Sequence, residues 1–292
     1  MTWAYAFLLP AFFFLIVLTL FPILYAFWIS LHDWSLIPRD YPFIGLENYT
    51  RALQDNVALK SLVNTLVYTI VTVPISMILS LGLALIMNQE DLPFRSVFRT
   101  IYFIPVITSW AAVSFVWRWL FEPRYGLVNA VLNALGIYGI TWLASPQWAL
   151  PAIMVVAIWK SMGYNMVIFM AGLKGISQEY YEAARIDGAN RWQIFRSITF
   201  PLLNPTIVFV TVTSVIASLQ VFTPVALMTV SGIGEAGGPI NSTRVMVYHI
   251  YSTAFRSNQL GYGAAQAFIL FALVLVVTII QLRVTRRDVS YD

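Results

Sequence analysis

The stretch SQEYYEAARIDGANRWQIFRSITFPLLNP, residues 177–205, decides how the whole chain is read, because it is a polar, charged insert in a sequence that is otherwise mostly apolar. Ser177 stands as an N-cap, and Glu179 and Glu182 fall in the turns after it, where carboxylates suit the positive end of a helix. Asp187-Gly188 offers a break, and Asn190 with Gln193 three residues later reads as a capping box that opens a second short helix. On that helix Ile194, Phe195 and Ile198 share one face, Arg191 and Arg196 point elsewhere, and Pro201 and Pro205 mark where it ends or kinks. Ala183 and Ala184 sit beside Glu182, so another protein's surface can approach this backbone while one carboxylate reaches out to a donor. The spacing predicts a bent, displayed unit with the shape of a docking knob.

Around this insert, 59% of residues are hydrophobic, 10% are charged and the mean hydropathy is +0.76, which is the composition of a polytopic membrane protein. The net charge of +4 is small and its carriers are scattered between apolar runs, as in basic loops beside a membrane, and implies no nucleic-acid partner. Without cysteine there are no disulfides and no thiolate metal sites. Apolar runs predict six spans, at about 3–31, 61–88, 98–121, 150–172, 206–228 and 263–282, against the roughly 20 residues that a bilayer requires. The first run lacks the basic start of a signal peptide and is read as a spanning helix, with Pro10 and Pro22 tolerated as prolines are in such helices. The expected fold is therefore all-α and integral to the membrane, with six transmembrane helices in one domain, 1–292, and a cytoplasmic helical coupling loop at 177–205. The connection 32–53 and the loop 122–148, with Tyr138, Trp142 and Trp148, carry the aromatic residues of an outer interface, and 231–238 is a glycine-rich turn region. Loops 89–99, 173–204 and 283–292 hold nine Lys or Arg, against six in the longer set 32–60, 122–148 and 230–262, which places the first set and both termini in the cytoplasm.

No Asp or Glu falls inside the six spans, and His32 and His249 lie outside them, which disfavours a proton-coupled carrier. Sodium coupling through backbone carbonyls at broken helices stays open. No nucleophile with a base, no carboxylate pair and no metal cluster assembles, so no catalytic residue, metal or cofactor is expected. Lys160-Ser161 follows Trp159 and lacks the glycines of a phosphate loop, so ATP hydrolysis would have to arrive through a separate protein. That requirement is the physical reason for a docking loop.

Lys160 is the one charge in the middle of a span, and a central lysine costs on the order of 2.5–3.5 kcal/mol. Either it faces a water-filled cavity or a partner, or the helix starts later and the side chain snorkels to the outer interface. Tyr164 lies one turn further along the same face, as a cavity residue or an ordinary packing tyrosine. Thr213 and Gln220, seven residues apart, share a face of the fifth span and are the polar groups placed to continue such a cavity.

The order Glu182-Ala183-Ala184, then Asp187-Gly188-Ala189, then Phe195, Ile198, Pro201 and Pro205 resembles the signature loop of binding-protein-dependent ABC transporter permeases. Phe200 departs from it, since the family usually has leucine there. The segment Phe43-Ile44-Gly45-Leu46-Glu47-Asn48-Tyr49 is similar to the first external loop of the sugar-importing branch, and Tyr164 stands where those permeases have an aromatic substrate contact. The resemblance implies the permease subunit of an ATP-driven sugar importer in a bacterial or archaeal plasma (inner) membrane, with ATP hydrolysis on other subunits. It implies as partners a second permease, two cytoplasmic ATPase subunits and an external solute-binding protein. Coupling to the ATPases would run through Glu182, Ala183, Ala184, Asp187 and Gly188, and the solute path through Lys160, Tyr164, Thr213 and Gln220. The alternative from the residues alone is an ion-coupled secondary transporter of a small polar solute.

Overall fold

The computed structural model describes residues 2–37, 40–89, 93–229 and 236–285. Residues 231–235 of the glycine-rich turn region, and Arg286 and Arg287 of the basic terminus, lie outside them. Helix α1 (Thr2–Leu15) passes through a π-helical turn at Ile16–Leu20 into α2 (Phe21–Ser30), and the apolar stretch Phe7–Ser30 is long enough to cross a membrane. The π turn sits just ahead of Pro22, which has no N–H to donate and whose ring crowds the carbonyl four residues back. Widening the turn, so that the Phe21 amide reaches the Ile16 carbonyl, takes up the misfit. The same device recurs at Phe195–Thr199, where the Phe200 amide reaches Phe195 just before Pro201.

After α3 (Glu47–Gln54), Asp55 caps α4 (Asn56–Met87), its Oδ1 accepting from the amides of Val57 at 2.7 Å and Ala58 at 3.2 Å. The buried face of α4 carries Ser61, Thr65, Thr69, Thr72, Ser76 and Ser80, while Ile70 and Ile78 are exposed. This inverts the amphipathicity of a soluble helix: small hydroxyl residues let neighbouring helices come close, and the apolar face meets lipid. The hydroxyls of Thr65 and Thr72 donate to the carbonyls four residues back, each at 2.7 Å, so burying them leaves no donor unmet.

The apolar run 98–121, expected as one continuous span, is two helices, α5 (Arg95–Ile107) and α6 (Trp110–Leu120), with a bend of 100° between them. Thr108 and Ser109 make the break from their side chains. Thr108 takes an extended backbone while its Oγ1 donates to the Ile104 carbonyl at 2.9 Å, and Ser109 caps α6 by accepting from the Ala112 amide at 3.2 Å. Helix α7 (Leu127–Ala134) follows in the loop 122–148, tied down by Asn129, which donates to the Pro123 and Ile140 carbonyls and accepts from Trp142 Nε1.

The long helix α8 (Ala149–Lys174) is the most buried of the membrane-length helices and packs against α4, α5 and α12. Then come α9 (Gln178–Ile186), α10 (Arg191–Ile194), α11 (Phe200–Leu202), α12 (Asn204–Leu219), α13 (Thr223–Met228), α14 (Met246–Tyr251) and α15 (Leu260–Thr285). Helix α15 packs on α2 and α12, and α13 on α6. Among the described residues five helices are long and apolar enough to span a membrane, and the bent pair makes a sixth if it counts as one. The core divides along α8: Ile153 and Val156 meet Val225 and Met228 in one part, while Met166 and Phe169 meet Leu203 and Val210 in the other. The turns of α8 between those two parts border an open space.

Candidate functional site

That space is an open cavity of about 370 Å³ lined by α4, α6, α8, α12 and the segment leading into α13. Trp110, Tyr164 and Phe222 give it aromatic walls, and Ser76, Ser161, Asn165, Thr213 and Gln220 give it hydroxyl and amide groups. The polar side rests on a bonded frame. Ser76 and Ser161 hydroxyls lie 2.8 Å apart, and the buried Asn165 Nδ2 donates to Ser76 Oγ at 3.2 Å and Ser214 Oγ at 3.5 Å, so one amide ties α8 to α4 and α12. Ser218 Oγ donates to Thr69 Oγ1 at 3.1 Å and joins α12 to α4 a second time. Aromatic faces beside fixed hydroxyl and amide groups are the lining that holds a polyhydroxylated solute, its C–H faces on the rings and its hydroxyls on the polar side.

Of the four residues singled out for the solute path, Tyr164, Thr213 and Gln220 line this cavity. Lys160 does not: it is 7% exposed, against 49% for Tyr164, and Nζ turns to the C-terminal end of α5, donating to the carbonyls of Pro105 and Thr108 at 2.6 Å each. Sequence reasoning passed over Trp110, Ser76, Asn165 and Phe222. The hydroxyl residues recurring at helical spacing along α4 were the signal for Ser76, and Asn165 adjoins Tyr164.

At the other site, Ser177 Oγ accepts from the Glu179 amide at 3.3 Å and starts α9. Gly188 has φ +77°, a left-handed conformation natural to glycine, and α9 closes there in a Schellman turn, with the Gly188 amide on Arg185 at 3.1 Å and the Ala189 amide on Ala184 at 2.9 Å. A reciprocal capping box then opens α10: the Asn190 amide donates to Gln193 Oε1 at 2.8 Å, and the Gln193 amide to Asn190 Oδ1 at 3.0 Å. Glu182, Ala183, Asp187 and Gly188 are exposed and Ala184 is half-buried, so the five residues form one displayed surface. Ile186 beside them is 87% exposed, and Trp192 is exposed on the next helix. The root of the unit is held by Tyr181, which packs against the part of the core formed by Met166, Phe169, Leu203 and Val210 and meets Thr199 Oγ1 at 3.4 Å.

A third polar group joins α4, α14 and α15, with Asp55, Arg244 and His249 outside the apolar spans and Tyr262 and Gln266 in the first turns of α15. Tyr262 donates to Asp55 Oδ2 at 2.8 Å, His249 Nε2 lies 4.0 Å from the same oxygen, and Arg244 Nε donates to His249 Nδ1 at 3.1 Å. An arginine Nε–H only donates, so Nδ1 accepts and the imidazole is neutral, with its proton on Nε2; the Gln266 amide lies 3.1 Å from that nitrogen and accepts the proton only through its oxygen. Burial, together with the charge of Arg244, pushes His249 down to about 4, while Asp55 pulls the other way. Burial works against the Asp55 charge, but the Tyr262 hydroxyl, the Val57 and Ala58 amides and His249 outweigh it and hold this carboxyl below the usual range.

Residues 50–288 match the family of binding-protein-dependent transport system inner membrane components. The sulfoquinovosyl glycerol transport system permease protein of Agrobacterium fabrum is 37% identical over 284 residues, covering 96% of this chain and 89% of that protein. The trehalose/maltose transport system permease protein of Thermococcus litoralis is 36% identical over 283 residues, covering 97% and 93%. In fold, the chain is similar to one in the crystal structure of a bacterial alginate ABC transporter in complex with an alginate pentasaccharide-bound periplasmic protein, with a TM-score of 0.84 and 23% identity over 97% of this chain and 94% of that one. With its membrane-length helices and a family match over most of its length, the chain belongs to the binding-protein-dependent transport system inner membrane components, as a multi-pass permease subunit.

Proposed function

We propose that this permease subunit carries a sugar or sugar-like solute across a bacterial or archaeal inner membrane, with the solute handed over by an external binding protein and ATP hydrolysed on separate cytoplasmic subunits. The observation that carries the reading is the cavity, with Trp110, Tyr164 and Phe222 set against Ser161, Asn165, Thr213 and Gln220. The relatives named for trehalose/maltose and sulfoquinovosyl glycerol point to the same solute class.

The displayed α9–α10 unit supports the other half of the reading. An isoleucine as exposed as Ile186, beside two alanines and Glu182, fits a surface that a partner covers, and the Schellman turn and capping box make the unit stiff enough to act as a lever. The excess of Lys and Arg in loops 89–99, 173–204 and 283–292 supports a cytoplasmic location for this face and for both termini. Closure of an ATPase pair would move the unit as a body and rock the helices around the cavity, with a second permease completing the path. The test is uptake into vesicles reconstituted with the two permeases, the ATPase subunits and the binding protein. Uptake that requires ATP and is abolished by vanadate supports the importer, and uptake indifferent to vanadate in the presence of an ion gradient supports a secondary carrier.

A further inference from the structure

The buried ammonium of Lys160 needs an account, because neither snorkelling nor an open cavity explains it. Its three protons meet a closed set of acceptors: the carbonyls of Pro105 and Thr108 at 2.6 Å, that of Val106 at 3.5 Å, and the ring of Trp110 with its centroid 5.1 Å from Nζ. The last carbonyls of a helix have no partner within it and form the negative end of its dipole, so a cation at the end of α5 takes up both the hydrogen bonds and the charge that the break at Thr108 leaves over. A second observation on α8 points to the same contact. Three residues after Lys160 comes Gly163, where any Cβ would run into the Tyr102 carbonyl of α5, so α5 lies directly on this face of α8. Trp110, the first residue of α6, then has Lys160 on one side and the cavity on the other.

We infer that Lys160 is a positioning residue: it clamps the break in the third span and holds Trp110 as an aromatic wall of the cavity, and it does not touch the solute. This rests on the reading of the cavity as the solute path, but the clamp is tested without any solute. The reporter is Ser114→Cys in this cysteine-free chain, at a fully buried position one turn after Trp110 on α6. The probe is a membrane-impermeant methanethiosulfonate carrying a trimethylammonium group, applied to reconstituted protein. With Lys160 in place the reporter stays unlabelled. Lys160→Met, which keeps the length and removes the donors, raises the labelling rate at least tenfold, and Lys160→Arg, which keeps donors and charge, restores protection. If Lys160→Met does not accumulate, Lys160→Gln with its single amide takes its place and raises labelling by a smaller factor.

A reporter that stays equally protected with Met or Gln at position 160 overturns the clamp. Tyr164→Cys, labelled in the parent background, checks the underlying reading separately. If it never reacts, the cavity is closed to water and the solute path is lost, while the Ser114 comparison still decides the role of Lys160.

Discussion

Substituting Gly188 separates the two things a docking knob must do, which are to keep its own shape and to fit its partner. At φ +77° an L-residue other than Asn or Asp costs about 1–2 kcal/mol, and a β-branched one more. A Cβ at this position meets nothing within 4 Å inside the chain, so the backbone is the whole intramolecular cost. Confined to the turn between α9 and α10, that cost should leave folding and membrane insertion intact. Against a partner surface packed on the knob, an extra side chain costs about 1–3 kcal/mol, or roughly a five- to 150-fold loss in docking. Gly188→Asn keeps the left-handed turn and adds bulk, whereas Gly188→Val adds bulk and strains the turn. With both variants reconstituted in the full complex, the expected result is normal membrane accumulation, retained ATP hydrolysis and uptake reduced in both. Loss of accumulation in both variants would mean that the loop is structural. Parental uptake with Asn would mean that nothing packs closely on this residue, and either result refutes the lever.

Three further outcomes follow from the same geometry. A Tyr164→Cys variant should react with a water-soluble thiol reagent and be slowed by transported solute, and Tyr164→Ala should lower uptake by about tenfold, the worth of roughly 1.4 kcal/mol of lost contact, while co-purification with the ATPase subunits is unchanged. His249 titrates at about 4 in the fold against about 6.5 in an unfolded chain, so between those values only the unfolded state binds the proton. Stability should thus be full above about pH 6.5 and fall by roughly 2–3 kcal/mol as the pH drops towards 4. His249→Gln, which still offers Arg244 an acceptor, should flatten that dependence in thermal melts of the purified chain. Asp55→Ala removes the cap of α4 and the partner of Tyr262 and should lower stability by about 1–2 kcal/mol, read as a lower melting temperature at pH 7.

How much of this was legible beforehand depends on the kind of signal each element carries. Capping is local chemistry, so Ser177, Asn190 and Gln193 announced both ends of the knob, and the structure contains those bonds. The spans came from mean apolarity, and an average taken along 98–121 passes straight over Pro105, Thr108 and Ser109, a proline in the last turn of α5 and two residues whose side chains bond backbone at the break. Lys160 shows the limit of reasoning from cost alone. The expense of a lysine at mid-span left a cavity or partner and snorkelling both open, and the sequence offers no sign that its neighbour is the carbonyl end of a helix some 50 residues earlier, because every residue carries a carbonyl and only the break leaves these ones free. The polar frame of the cavity was within reach. Ser61, Thr65, Thr69, Thr72, Ser76 and Ser80 recur every three or four positions along an apolar run, which in a membrane marks the inward face as surely as a leucine stripe does in water. Had that stripe been followed across to the span carrying Tyr164, Asn165 beside it would have stood out as the amide able to bridge hydroxyls on two other helices, and it does so through Ser76 and Ser214.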